Sequence, residues 1–512
     1  MRDFAYRFTV SPSRLASVLV SLALVAACGN GNHGAGGGGD DSGSGNDGVD
    51  GGTSTGGDTF GGVFRHGMND GHINASWTDN QGGALGAATG ADSNRMKLPE
   101  YFLDQWGAGV RTDAAMSYQA DGMSNLVCFL IGPTAAHSTD PTGNNLEGFI
   151  PKNLYEPIFR ADGSVNPDNY WAAYVEETVT TYKPYVRIWE VWNEPDWTPS
   201  YQTTLDWATK APVIGDLPRF NGSIFDYIRM LRVTYAVAKK VDPTCQVALG
   251  GVGYPTFVDA VLRYTDNPDA GAVSSDFPHT GDAYFDVLNF HYYPLYTPGN
   301  SDAGADGLLA LRAAMAGELT KFGVTGKTFN ATETGAPRLQ VGTFPGGPDY
   351  AKNYLMKAML GAHLAGMIGL DWFLLSDTAQ TDSGTDPYAY MGLYHDIANL
   401  AQPSDAVRTD TGTAYATIGQ LLKGATVDVT LTASLALPST VRGGAFHTPA
   451  GKTILALWAT AATGESATAT YTIAGSGSIT AYAWDYAATH ASPVLPSNTV
   501  TLSATPQLFQ LP

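Results

Sequence analysis

One alternation restricts this chain more than any other feature of its sequence. From residue 60 to about 377, short apolar or β-branched runs alternate with longer stretches of helical period, the pattern of repeated βα units around a parallel sheet. Eight candidate strands fall at 62–66, 110–113, 126–131, 186–192, 246–251, 285–293, 328–333 and 368–374. Between the fourth and fifth, Ile224, Ile228, Leu231, Tyr235 and Ala238 recur at helical spacing, and Asp242-Pro243 stops the helix. Residues 170–182, 256–264, 308–322 and 350–365 supply further helices, so the expected architecture is α/β, a closed (β/α)8 barrel over 60–423. After a last helix at 414–422 the signal changes. Runs at 426–431, 453–458, 467–473 and 479–484, separated by Gly, Ser, Thr and Pro, predict a small all-β sandwich over 424–512. No long Gly/Ser tether joins the two parts, which predicts a supporting module rather than a mobile one.

The first 59 residues read differently. Arg2, Arg7 and Arg14 against Asp3 give +3 − 1 = +2, and 15–27 follow as an uncharged, mostly apolar run, a leader layout over 1–28. The run is shorter than the ~20 residues of a spanning helix. It ends Val25-Ala26-Ala27-Cys28, which resembles the lipobox of bacterial lipoproteins and implies lipidation at Cys28 and an extracytoplasmic, membrane-anchored protein, at the outer membrane in a Gram-negative host. Residues 29–59 hold 14 glycines, five aspartates and no Lys or Arg, a tether that cannot bury enough to order itself. Cys128 and Cys245 lie in or beside apolar runs and read as buried free thiols. With 28 basic against 48 acidic residues, the net charge of −20 repels phosphate backbones, so no nucleic-acid partner is expected.

Barrel enzymes carry their chemistry where strands end. The fourth strand ends Trp189-Glu190-Val191-Trp192-Asn193-Glu194-Pro195-Asp196; alternation places Glu190, Trp192 and Glu194 on one side, and Pro195 predicts an extended backbone at Glu194. The seventh ends Asn330-Ala331-Thr332-Glu333-Thr334-Gly335. Two carboxyl groups facing each other across a barrel mouth suit cleavage of a glycosidic bond. Glu190 and Asp196 read equally well as solvated rim residues.

The stretches Trp192-Asn193-Glu194-Pro195 and Thr332-Glu333-Thr334-Gly335 resemble clan A glycoside hydrolases, retaining (β/α)8 enzymes. Within the clan, residues 189–196 and the appended β module look most like family 39, whose known members include β-xylosidases and α-iduronidases, while His291-Tyr292-Tyr293 suits family 5 equally. The resemblance implies Glu194 as acid/base, Glu333 as nucleophile and Asn193 on the sugar 2-hydroxyl. His291 and Tyr293 share a face and could position the nucleophile or bind sugar; Trp372 resembles a sugar-stacking floor; Arg111, at the end of the second strand, could hold Glu333 ionised. Each also reads as ordinary core or surface material. The expected substrate is a poly- or oligosaccharide, the expected carboxyl separation about 5–5.5 Å, and Glu194 is expected to keep its proton beside the charge of Glu333. A non-catalytic glycan-binding lipoprotein and a transglycosylase are the competing readings. Asp377, Asp382 and Asp386 form one acidic loop and Asp302 and Asp306 another; neither has EF-hand spacing, and with no zinc-type cluster or phosphate loop, no metal or cofactor is assigned.

Overall fold

The computed structural model describes residues 63–70, 74, 76–199, 205–475 and 477–512. The leader, Cys28 and the glycine tract lie outside them. Among the described residues no helix is long and apolar enough to cross a membrane.

Eight parallel strands close into a barrel in chain order: β1 (Arg65–Asn69), β2 (Ser93–Lys97), β3 (Leu126–Leu130), β4 (Val186–Val191), β5 (Gln246–Leu249), β6 (Val287–His291), β7 (Thr328–Thr334) and β8 (Gly369–Trp372). Helices cover them, among them Tyr170–Tyr182, Ile224–Val241 and Pro348–Leu364. The helix Ile224–Val241 starts at a reciprocal Ser223/Asp226 capping box and ends with Lys239 and Lys240 in its last turn, where cations suit the helix dipole. Period-two alternation sorts the strand residues. Leu126, Cys128 and Leu130 of β3 join the large core under the helices, while Val127, Ile188, Ala248 and Val287 form a separate cluster with Ile368.

One strand departs from expectation. Residues 110–113 are no strand, since Thr112 opens the helix Thr112–Ala120 and Arg111 is its N-cap. The second strand is instead Ser93-Asn94-Arg95-Met96-Lys97, whose polar side chains are buried and partly paired within the barrel: Ser93 Oγ donates to the Asn125 carbonyl, and Arg95 pairs with Glu190. A strand whose polar side chains are enclosed in a barrel, with its arginine paired to a carboxylate of another strand, carries no apolar signature. Cys128 and Cys245 are buried free thiols.

The C-terminal module comprises β9 (Thr426–Val427), β10 (Val441–His447), β11 (Thr453–Ala459), β12 (Thr468–Thr472), β13 (Thr480–Tyr482), β14 (Thr499–Ser503) and β15 (Gln507–Gln510). They form an antiparallel sheet in the order β13-β15-β11-β10-β9 and a two-stranded pair β12-β14. The run 426–431 stops being a strand at Val427, because the Asp428 side chain accepts the Leu431 N–H and starts the helix Val429–Ser434. Along β11 the alternation is plain. Leu455 and Leu457 enter the module's own core, while Ile454, Ala456 and Trp458 join the core shared with the barrel. A polar seam reinforces this face. Asp302 accepts from Lys357 Nζ (2.8 Å), Trp458 Nε1 (3.1 Å) and the Ala461 N–H (3.0 Å), and Glu465 accepts from the Ser301 N–H and Asn353 Nδ2, each at 2.8 Å.

The first acidic group, Asp377, Asp382 and Asp386, does lie on a loop after β8 with Asp382 and Asp386 exposed, whereas the second is part of a helix. Asp302 and Asp306 belong to the helix Ser301–Lys321, and Asp306 pairs with Arg442 of β10. Asp377 accepts from Arg338 Nε (2.7 Å) and the Gly392 N–H (2.9 Å), Asp382 from Arg338 Nη2 (2.6 Å), and Asp386 caps a single turn through the Tyr388 N–H.

Candidate active site

At the barrel mouth β4 gives way to a turn at once. Trp192 and Glu194 both have positive φ, 72° and 48°, so Glu194 is displayed by a left-handed turn, not by an extended backbone before Pro195. Such backbone in non-glycine residues is costly and collects at functional sites. The turn is pinned by the Glu194 N–H donating to the Gly250 carbonyl (2.6 Å). Space for it comes from Gly250 and Gly251. A Cβ on Gly250 would lie 2.4 Å from the Val191 carbonyl oxygen, and one on Gly251 (φ +64°) would lie 2.1 Å from the His291 ring.

Glu333 arrives from β7, and a register shift between Phe290 and His291 sets His291 opposite it. The three side chains converge. His291 Nδ1 is 3.1 Å from Glu194 Oε1 and 3.6 Å from Glu333 Oε2, and one polar atom from each residue lies within 4.8 Å of the other two. The other ring nitrogen of His291 meets Thr332 Oγ1 at 3.0 Å, fixing the ring plane. Tyr293 donates its hydroxyl to Glu333 Oε2 at 2.7 Å. The structure thus brings Glu194, Glu333, His291 and Tyr293 together.

The cation on Glu333 is Arg95, which the sequence reading missed. Its Nη1 donates to Glu333 Oε1 (2.6 Å), its Nε and Nη2 form a fork on the two oxygens of Glu190 (2.8 Å each), and Nη2 also reaches Asn193 Oδ1 (2.7 Å). Arg111 stands elsewhere, paired with Asp70 at 2.9 Å. Its displacement follows directly from the misplaced second strand. Nor are Glu190 and Asp196 rim residues. Glu190 is fully buried against Arg95, and buried Asp196 accepts the N–H groups of Gly253 and Tyr254. Trp372 offers no open stacking face, being fully buried with its indole N–H on the Met391 carbonyl. Partly exposed aromatic surface comes instead from Tyr293, Phe373 and Tyr388, with Tyr293 and Tyr388 meeting edge to face at 4.9 Å.

Arg219 is the second feature the sequence did not show. It follows the insertion at 198–218 and pairs through Nη1 with Glu194 Oε2. Its guanidinium lies over the Trp197 ring, 4.1 Å from the centroid, while its carbonyl accepts the Trp192 indole N–H.

These neighbours set the proton balance. Burial pushes the Glu194 carboxyl up, but the His291 hydrogen bond and the cations of Arg219 and His291 outweigh it and hold the group below the usual Glu range. This reverses the expectation that Glu194 keeps its proton in the resting site. For His291 burial acts downward, but Glu333 and Glu194 draw the imidazole above its ordinary value. Asp196 is pushed up to about 7, by burial first and by the charge of Glu194 after that, against its backbone hydrogen bonds.

Glu194, His291 and Glu333 are also spaced closely enough to offer three ligands to a metal ion. Arg95 and Arg219 already supply positive charge to both carboxylates, and a dication between them would face two guanidinium groups. The arrangement instead suits one carboxylate acting on carbon beside another that handles a proton.

No protein-family model and no curated protein sequence matches the chain. Solved structures do. A family 39 glycoside hydrolase from Bacteroides cellulosilyticus aligns at TM-score 0.58 and 17% identity over 88% of this chain and 81% of that one. The catalytic domain of a family 30 xylanase C from Talaromyces cellulolyticus aligns at TM-score 0.51 and 13% identity, over 88% and 96%. A glucosidase from Croceicoccus marinus aligns at 0.52 and 14%, over 88% and 95%. At these identities the likeness is one of fold, a (β/α)8 barrel with an appended β module.

Proposed function

We propose that the protein is a retaining O-glycoside hydrolase acting on a poly- or oligosaccharide. The observation that carries the reading is the carboxyl pair, Glu194 and Glu333, with one oxygen of each within 4.8 Å of the other across the barrel mouth. Inverting pairs need about 6.5–9.5 Å to admit a water, whereas a retaining pair stands about 5–5.5 Å apart. Glu333 is the nucleophile. Its carboxylate oxygen bonds to the anomeric carbon as the bond to the leaving oxygen breaks, and the proton of Glu194 passes to that oxygen. A water then replaces Glu333 on the carbon and gives its proton to Glu194, restoring both groups. Arg95 and Tyr293 hold one oxygen of Glu333 each and so fix its direction of attack. Asn193, itself held by Arg95, is placed to bind the sugar 2-hydroxyl.

A screen of aryl glycosides of several pentoses and hexoses tests this, with NMR following the anomer released first. Retention supports it; an inverted first product would overturn it. Lipid anchoring through Cys28, and with it an extracytoplasmic setting, belongs to the same proposal and rests on the sequence of 15–59. Mass spectrometry of the mature protein should find diacylglycerol on Cys28.

A further inference from the structure

Glu194 carries a partner of the wrong sign for its task. A carboxyl that must deliver a proton is paired in the resting site with a guanidinium, which favours the carboxylate. Something has to take Arg219 away before the acid can form. We infer that Arg219 is the receptor for a carboxylate on the leaving-group side of the substrate, so that the preferred substrates carry an acidic sugar there; this rests on the glycosidase reading above.

Geometry supports the role from several directions. In the double-displacement arrangement Glu333 lies beneath the anomeric carbon, and Glu194 lies beside the leaving oxygen, so whatever surrounds Glu194 away from Glu333 meets the departing sugar. What stands there is Arg219 on Trp197, a planar fork of donors over an aromatic face. Arg219 is also the movable cation of the pair. Its side chain is 38% exposed against 2% for Arg95, and its backbone is held by Trp192 independently of its side chain. The groups facing Glu194 from the other elements, His291 of β6, Glu333 of β7, Arg95 of β2 and nearby Asp196, are enclosed and already partnered. Of the two guanidinium groups on the carboxyl pair, only that of Arg219 belongs to a side chain more than a third exposed.

Sugar hydroxyls are weak competitors for a guanidinium bound to a carboxylate, whereas another carboxylate can replace Glu194 with a charge-assisted bond of the same kind. Binding an acidic sugar and protonating Glu194 then favour each other, because each relieves what the other leaves unpaired. The net charge of −20 does not forbid this, since charges farther than about 8 Å are screened at physiological ionic strength. Neutral substrates remain possible but meet an ionised acid.

The test keeps the sugar that the screen finds active and varies only the leaving group, comparing 3-carboxyphenyl with 3-carbamoylphenyl glycosides. Wild-type enzyme should favour the carboxylate by about tenfold or more in kcat/KM, the scale expected when a charged partner is matched or left unpaired. In Arg219→Gln the ratio of the two kcat/KM values should fall to about one, whatever the absolute rates. Equal rates on the two substrates in the wild type overturn the inference, as does a variant that slows both alike. Should Arg219→Gln fail to fold, the wild-type ratio alone still decides. Binding of D-glucuronate against D-glucose, followed by NMR line broadening, reads Arg219 without turnover. A chain that hydrolyses no aryl glycoside yet binds glucuronate through Arg219 would sink the enzyme reading and leave the recognition intact.

Discussion

The two carboxylates of the site each have an arginine, and the arginines are built on opposite principles. Arg95 is enclosed, forked onto Glu190, shared with Asn193 and set under the ring of Phe129 at 4.2 Å. It is a fixture that keeps Glu333 aimed. Arg219 comes from the far side of a long insertion, stands half in solvent and leans on one indole. A nucleophile needs one protonation state at the start of every cycle, so a permanent counter-ion serves it. An acid/base group alternates between two states, and only a counter-ion that can leave is compatible with both.

The contrast breaks first at Glu333. Glu333→Ala should lower hydrolysis by about 10⁴-fold or more, with azide restoring turnover to a product of inverted configuration; a variant that keeps natural-substrate activity removes Glu333 from the nucleophile's role. The fixture itself is tested at Glu190. Deleting one partner of a buried pair leaves the other charge uncompensated, so Glu190→Ala should cost about 3–5 kcal/mol in denaturant unfolding, and Arg219→Ala far less. Comparable losses would erase the distinction between the arginines.

On the other side, Glu194→Ala should slow unactivated substrates by about 10²–10⁴-fold while sparing formation of the intermediate from dinitrophenyl glycosides, which need no proton. The smallest effect is expected at Asp196. Its folded pKa of about 7 lies above the unfolded value near 3.9, so the native state binds more protons between the two. That contribution is whole below about pH 4 and is lost as pH rises through 7. Asp196→Asn keeps an acceptor for Gly253 and Tyr254 and should flatten the fall in Tm between pH 5 and 8, by roughly 2–4 °C at the upper end. An unchanged slope would mean that the Asp196 carboxyl is ionised throughout.

Much of this was legible before any coordinates. Six of the eight barrel strands lie where apolar runs predicted them, because their alternate residues face the helices, as Leu126, Cys128 and Leu130 do, and the first, expected at 62–66, is shifted to Arg65–Asn69. The Trp192–Pro195 and Thr332–Gly335 motifs pointed to the right strand ends. What escaped was whatever depends on pairing across the chain. The strand Ser93–Lys97 is polar because Arg95 has its carboxylates 95 and 238 residues away, on β4 and β7. A buried ion pair looks like two surface residues until they are brought together, which is why Glu190 read equally well as rim and Arg95 was not singled out. The turn at Glu194 escaped for a related reason. The rule that a residue before proline is extended disfavours the right-handed helical region, but the left-handed turn seen here is stabilised by Gly250, which belongs to another strand's end.

The seam at Asp302 has a consequence for anyone wishing to recombine such proteins. Its carboxylate takes Lys357 from the barrel's own wall and Trp458 and the Ala461 N–H from the appended module, so one of these three donors comes from the barrel and two from the module. Cutting the chain near residue 424 would strand that acid, together with Glu465, on bared apolar faces. The β module is therefore no interchangeable cassette. A graft onto another barrel has to import the helix Ser301–Lys321 and its neighbour Pro348–Leu364 as well, and the transferable piece of this architecture is the sheet together with the two helices on which it is seated.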